Sequence, residues 1–108
     1  MKILLDHDIP HALRQHFPEV CVVFTAHYMG WSHLKNGALI KAASNAAFMV
    51  LITLDRKLGF QQDLANCPIG IRFLRARPAK LPNLLRLMPA IEEALPVAEA
   101  GRHVTVFV

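Results

Sequence analysis

Two apolar, β-prone runs in this chain each stop at an aspartate: Ile3-Leu4-Leu5-Asp6 near the start, and Val50-Leu51-Ile52-Thr53-Leu54-Asp55 in the middle. Continuous apolar runs of this length suit strands buried on both faces, as in a parallel sheet covered by helices. In such sheets ligands bind in the crevice beyond the carboxyl ends of the strands. The pattern therefore predicts both carboxylates at one rim, where they could hold a hard divalent cation through oxygen ligands. Metal-dependent phosphodiester chemistry is the reaction type this arrangement suggests.

The rest of the chain alternates in the same way. A strand over residues 2–6 leads into a helix from Ile9 to Phe17, with Pro10 in its first turn and Asp8 as its N-cap. Pro18 stops that helix, and the β-branched run from Val20 to Phe24 reads as a second strand. Thr25 to Lys35 lacks periodicity and reads as loop with room for a short helix; Gly37 to Ala47 reads as helix. A third strand spans Phe48 to Leu54, followed by one or two helical turns between Arg56 and Leu64. Cys67-Pro68-Ile69-Gly70 turns into a fourth strand, Ile71 to Leu74. Leu81 to Ala98 has helical spacing that Pro89 should kink or split, and His103 to Val108 forms a fifth strand. This β-α alternation predicts one doubly wound α/β domain over residues 1–108, a central, mostly parallel sheet flanked by helices.

With 54% apolar residues the chain exceeds an average soluble domain, and the surplus predicts a homodimer, with Leu81 to Leu95 as the expected interface. No apolar run reaches the length of a membrane span, and Asp6 and Asp8 argue against a secretory signal. Cys21 and Cys67 lack ligand or disulfide-framework spacing, which points to a reduced, cytoplasmic setting. The formal charge is +4, and no acid occurs between Asp63 and Glu92, where Arg72, Arg75, Arg77, Lys80 and Arg86 cluster. Such a stretch predicts a surface that attracts RNA or DNA, the alternative being a solvated edge.

Asp6-His7-Asp8 is a tight acidic cluster at a strand end. Asp8 has a simple structural explanation as a cap; Asp6 is harder to account for, because a strand-end carboxylate is costly to desolvate without a cation or donor. Asp55 could likewise be a cap or a surface partner of Arg56. Among the six histidines, His7 and His11 form the one pair at helical ligand spacing, and no zinc motif occurs. His27 and His33, flanking Gly30-Trp31, read as polar loop residues or as groups that meet a base or phosphate. No nucleophile elbow and no glycine-rich phosphate loop is found.

The segments Lys2-Ile3-Leu4-Leu5-Asp6-His7-Asp8-Ile9-Pro10, Gly30-Trp31-Ser32-His33-Leu34-Lys35-Asn36-Gly37, Leu51-Ile52-Thr53-Leu54-Asp55-Arg56-Lys57-Leu58 and Gln61-Gln62-Asp63-Leu64, in that order, resemble the small stand-alone PIN-like proteins related to VapC-type toxin nucleases. The resemblance spans nearly the whole chain. It implies a PIN-like three-layer sandwich and an endoribonuclease that cuts single-stranded RNA with Mg²⁺ or Mn²⁺. It also implies a place for such a chain as the toxin of a toxin–antitoxin pair, controlled by an antitoxin-like protein. Asp6, Asp8 and Asp55 would be catalytic, and Asp6, Asp55 and Asn36 would be the metal ligands. Lys35, Arg56, Arg75, Arg77 and Lys80 would bind nucleic acid.

The chain departs from the pattern on the helix after Lys35-Asn36-Gly37, where relatives carry an acid and this sequence has Asn36 and Ala38. Asn36 offers a carbonyl oxygen without charge, so metal binding is expected to be weak. No other acid lies between Glu19 and Asp55. A catalytically impaired module that binds RNA or a protein partner through the same groove is therefore the alternative expectation.

Overall fold

Lys2–Leu5 forms β1, and all three of its residues after Lys2 are fully buried. It lies between β2 (Val22–Thr25) and β3 (Val50–Thr53), pairing in parallel with both. A computed structural model of the chain describes residues 1–55, 67–95 and 103–106, with side chains except at Asn36 and 103–106. β4 (Gly70–Leu74) pairs in parallel with β3, and β5 (His103–Val106) with β4, so five strands stand in the order β2-β1-β3-β4-β5. This is a doubly wound order whose switch point falls between β1 and β3.

Alternation along the strands divides the interior into two layers. Ile3, Leu5, Val50 and Ile52 face one side, packing with Ile9 and Leu13 and with Leu84, Leu87 and Ile91. Leu4, Leu51, Ile71 and Phe73 face the other, packing with Leu39, Ile40 and Ala43 of α1 (Asn36–Asn45). Both faces of an all-parallel sheet are thus covered, giving a three-layer α/β sandwich consistent with a PIN-like architecture.

Several local expectations change. His11–His16 is a 3₁₀ helix rather than an α-helix over Ile9 to Phe17, and Pro10 occupies its cap position without a side-chain bond. Asp8 does not cap it, because its carboxylate turns toward the end of β3. The segment expected to kink or split near Pro89 is split, into α2 (Leu81–Arg86) and α3 (Met88–Ala94), which meet at Leu87. Pro89 lies in the first turn of α3, where the missing N–H costs nothing. α1 ends with Ala47 at φ 66° and Phe48 N–H donating to Ala43 O at 2.9 Å, a Schellman closure made without glycine. β2 starts at Val22 and β3 at Val50, two residues later than expected in each case. The turns expected over 56–64 lie outside the described residues, as do the last two residues of the expected fifth strand.

The apolar surplus of Leu81 to Leu95 is used inside the protomer: Leu84, Leu87, Met88, Ile91 and Leu95 are all buried. Among the described residues, the large exposed apolar side chains are instead Val20, Val22, Tyr28 and Met49. No helix among the described residues is long and apolar enough to cross a membrane.

Candidate functional site

Asp6 directly follows β1, and its N–H donates to Ile52 O at 2.9 Å, extending the β1–β3 ladder by one residue. The carboxylate thereby sits at the switch point, only 7% exposed. Thr53, fully buried, donates its hydroxyl to Asp6 Oδ2 at 2.8 Å. Asp6 Oδ1 accepts the His7 N–H at 2.8 Å and lies 2.5 Å from His7 Nδ1. A carboxylate offers about four acceptor positions, and these three partners leave one on Oδ2.

His7 also links the site to the approach of α1, since its Nε2 lies 2.9 Å from Leu34 O. Both ring nitrogens thus face oxygen acceptors, one on Asp6 and one on Leu34. The helical pairing of His7 with His11 is not realised, because His7 precedes the 3₁₀ helix and turns to Asp6 and Leu34. His11 instead packs edge-on against His27, with ring centroids 5.5 Å apart.

Asp8 reaches across to β3, where its Oδ1 accepts the Leu54 N–H at 3.4 Å. Surrounding atoms strip part of its hydration, and the negative charge of Asp6 adds to this. Together they push its pKa up from 3.8 to about 6, against a smaller opposing effect from the Leu54 N–H. Asp6 and Asp8 are therefore close enough to feel each other's charge. Asp55 leaves the same rim, with its N–H donating to Thr53 Oγ1 at 3.0 Å. One hydroxyl thus joins the Asp6 carboxylate to the backbone of Asp55.

Lys35 stands exposed at the start of α1, next to Leu34, which His7 holds. Asn36 opens α1 in the backbone, but its side chain lies outside the described residues, and Arg56 lies outside them altogether. β4 runs parallel to β3, so the loop carrying Arg75, Arg77 and Lys80 leaves at the rim of Asp55, with all three side chains exposed. Arg72 is a correction to the cationic surface. It is fully buried in β4, with Nε donating to Ala94 O at 3.1 Å and Nη1 to Ile71 O at 2.9 Å. Its charge serves the end of α3 rather than a ligand.

Sequence reading missed Thr53 and the double bonding of His7. The signal for Thr53 was present: it is the one polar side chain inside the apolar run that ends at Asp55.

A carboxylate whose pKa is raised by burial beside another negative charge is one that a cation stabilises. Mg²⁺ is commonly held by one or two carboxylates, with water and substrate phosphate completing its shell. Asp6 and Asp8 fit that manner of binding. They do not amount to an all-protein cage, since no group of three or more His, Cys, Asp and Glu side chains with metal-binding geometry occurs among the described residues. A separate surface cavity of about 610 Å³, lined by Arg14, Gln15, Phe17, Cys21 and Val22 among others, follows the edge of β2 and contains none of the three aspartates.

In comparison with known proteins, no family model, curated protein or solved structure matches this chain.

Proposed function

We propose that this chain is a PIN-like, metal-dependent ribonuclease module acting at the β1–β3 switch point. The observation that carries this reading is the coupling of Asp6 and Asp8, two carboxylates at one rim, with Asp55 tied to the same hydroxyl as Asp6. Bound Mg²⁺ or Mn²⁺ would supply an acidified water and offset charge on the phosphate. Asp6, held by Thr53 and His7, is oriented before any ligand arrives. Asp8, with a pKa near 6 while no cation is bound, would give up its proton as a cation binds beside Asp6. Lys35, Arg77 and Lys80 border the rim with cations for the phosphate backbone. An antitoxin-like protein and a second copy of the chain are partners consistent with this reading.

One observation favours a weaker relative of that activity. The stretch from Val20 to Leu54 contains no acid, so α1 brings no carboxylate to the rim. On the second reading the module binds RNA or a protein through the same groove with little or no cleavage.

The two readings separate in one assay of single-stranded RNA with and without Mn²⁺. Cleavage that needs Mn²⁺ and is lost in Asp6→Asn supports the nuclease. Binding without cleavage in the parent, with cleavage appearing in Asn36→Asp or Ala38→Glu, supports the impaired module. Neither binding nor cleavage in any of these proteins overturns both.

A further inference from the structure

Four large apolar side chains stand exposed among the described residues, and three of them, Val20, Val22 and Met49, lie at or before the starts of β2 and β3. Tyr28 is the exception. It follows the end of β2, which pairs Thr25 with Leu5, and Ala26 N–H donates to Leu5 O at 2.9 Å, one residue before Asp6. The Tyr28 backbone therefore stands at the rim that carries the acidic site, while its ring, on a residue 73% exposed, lies back along β2 against Phe24.

The ring is held rather than loose. The Tyr28 N–H donates to Thr25 Oγ1 at 3.0 Å. The turn beneath it is closed by Met29 N–H to Thr25 O at 3.1 Å and Trp31 N–H to Ala26 O at 2.9 Å. Gly30, at φ +76°, supplies the left-handed step this turn needs. One face of the tyrosine stacks on Phe24, with centroids 5.7 Å apart and planes 30° from parallel. Phe24 is in turn braced edge-on by Phe48, which also meets Trp31. Stacking on Phe24 leaves most of the ring in water, so it does not by itself account for an aromatic side chain here.

The surroundings suit a polyanion. His27 lies next in the chain, touching the His11 ring and 3.2 Å from Ser32 Oγ, and both histidines are exposed. Lys35 ends the same loop. The acid-free stretch from Val20 to Leu54 supplies no charge that would repel phosphate. A rigid ring with one face on Phe24 and most of its surface in water is the physical form of a base-stacking platform, which binds unpaired bases because every base has a π-face.

We propose that Tyr28 stacks an unpaired nucleobase of single-stranded RNA and so seats the strand beside the Asp6 rim. This rests on the ribonuclease reading, and it adds the residue that recognises the unpaired base. The probe is a fluorescein-labelled oligouridylate, its binding followed by anisotropy without divalent ion so that it is not consumed. Tyr28→Ala should weaken binding by about tenfold, within the range typical for removal of one base–aromatic stack, while Tyr28→Phe stays close to the parent. With the unaltered protein, an oligonucleotide of the same length made abasic throughout should bind about as weakly as the natural one binds Tyr28→Ala.

If the parent binds the natural and abasic strands equally well, or if Tyr28→Ala binds like the parent, the stacking role is overturned while the ribonuclease reading stands. If the parent binds neither strand at any salt concentration, the stacking role is overturned, while the ribonuclease reading is decided separately by cleavage in the presence of Mn²⁺. Loss of binding in Tyr28→Phe equal to that in Tyr28→Ala also overturns the stacking role, since the ring would then be acting through its hydroxyl.

Discussion

The hydroxyl of Thr53 donates to Asp6 Oδ2 at 2.8 Å, binding the end of β3 to the end of β1 at the one place where the sheet changes winding direction. Thr53 Oγ1 also accepts the Asp55 N–H, so a single buried atom joins the Asp6 carboxylate to the backbone of Asp55.

Thr53→Val keeps the shape and removes both bonds. Hydrogen bonds to charged groups contribute roughly 1.5–3 kcal/mol, and a buried acceptor left without its donor adds a desolvation penalty. Chemical denaturation should show destabilisation of about 2 kcal/mol. Thr53→Ser should recover most of it, and equal destabilisation in both variants would show that the methyl group, not the hydroxyl, matters here.

Asp8 gives a pH dependence of definite sign. Its pKa is about 6 in the folded chain against an ordinary 3.8, so the folded state binds this proton more tightly than the unfolded state. Its contribution to stability is fully present below about pH 4 and is lost as pH rises through about 6. In metal-free buffer, Asp8→Asn should therefore melt higher than the parent at about pH 7.5 and show little difference at about pH 3.5. Mn²⁺ should raise the parent's melting temperature more at the higher pH than at about pH 5, because cation and proton compete for the carboxylate. A metal effect independent of pH would remove Asp8 from the cation site.

Arg77 and Lys80 are exposed on the loop that leaves β4 at the Asp55 rim. Changing both to Ala should weaken single-stranded RNA binding across sequences and flatten the dependence of log K on log salt. The slope should fall by about 0.7 for each phosphate no longer neutralised, the value typical of single strands. Unchanged slopes in a salt titration would reduce this loop to a solvated edge.

Arg72 should behave in the opposite way. Arg72→Ala opens space in β4 and removes the donor that the Ala94 and Ile71 carbonyls share, at a cost of roughly 1–3 kcal/mol for a buried acceptor left without its partner. Urea unfolding should show that cost. Salt dependence of RNA binding by the fraction that remains folded should be unaltered, and a flattened slope would return Arg72 to the nucleic-acid surface.

Strands buried on both faces announce themselves as unbroken apolar runs. Two such runs, with helical spacing and further β-prone segments between and after them, were enough to identify a parallel α/β sandwich and the rim on which Asp6 and Asp55 must stand. The cap of the first helical segment was not legible, because Pro10 and Asp8 compete for the same position; the backbone settled into a 3₁₀ turn and released Asp8 toward Leu54. Only the tertiary structure decided which charges were surface and which were not. Arg72 and Arg77 are alike in sequence, five residues apart, yet one is wholly buried beneath α3 and the other exposed. The same holds for Thr53, His7 and Tyr28. Their roles come from partners 47, 27 and 4 positions away, respectively. Period and propensity act over one or two turns of chain, whereas the more distant of these partners meet only after the strands have ordered themselves as β2-β1-β3-β4-β5.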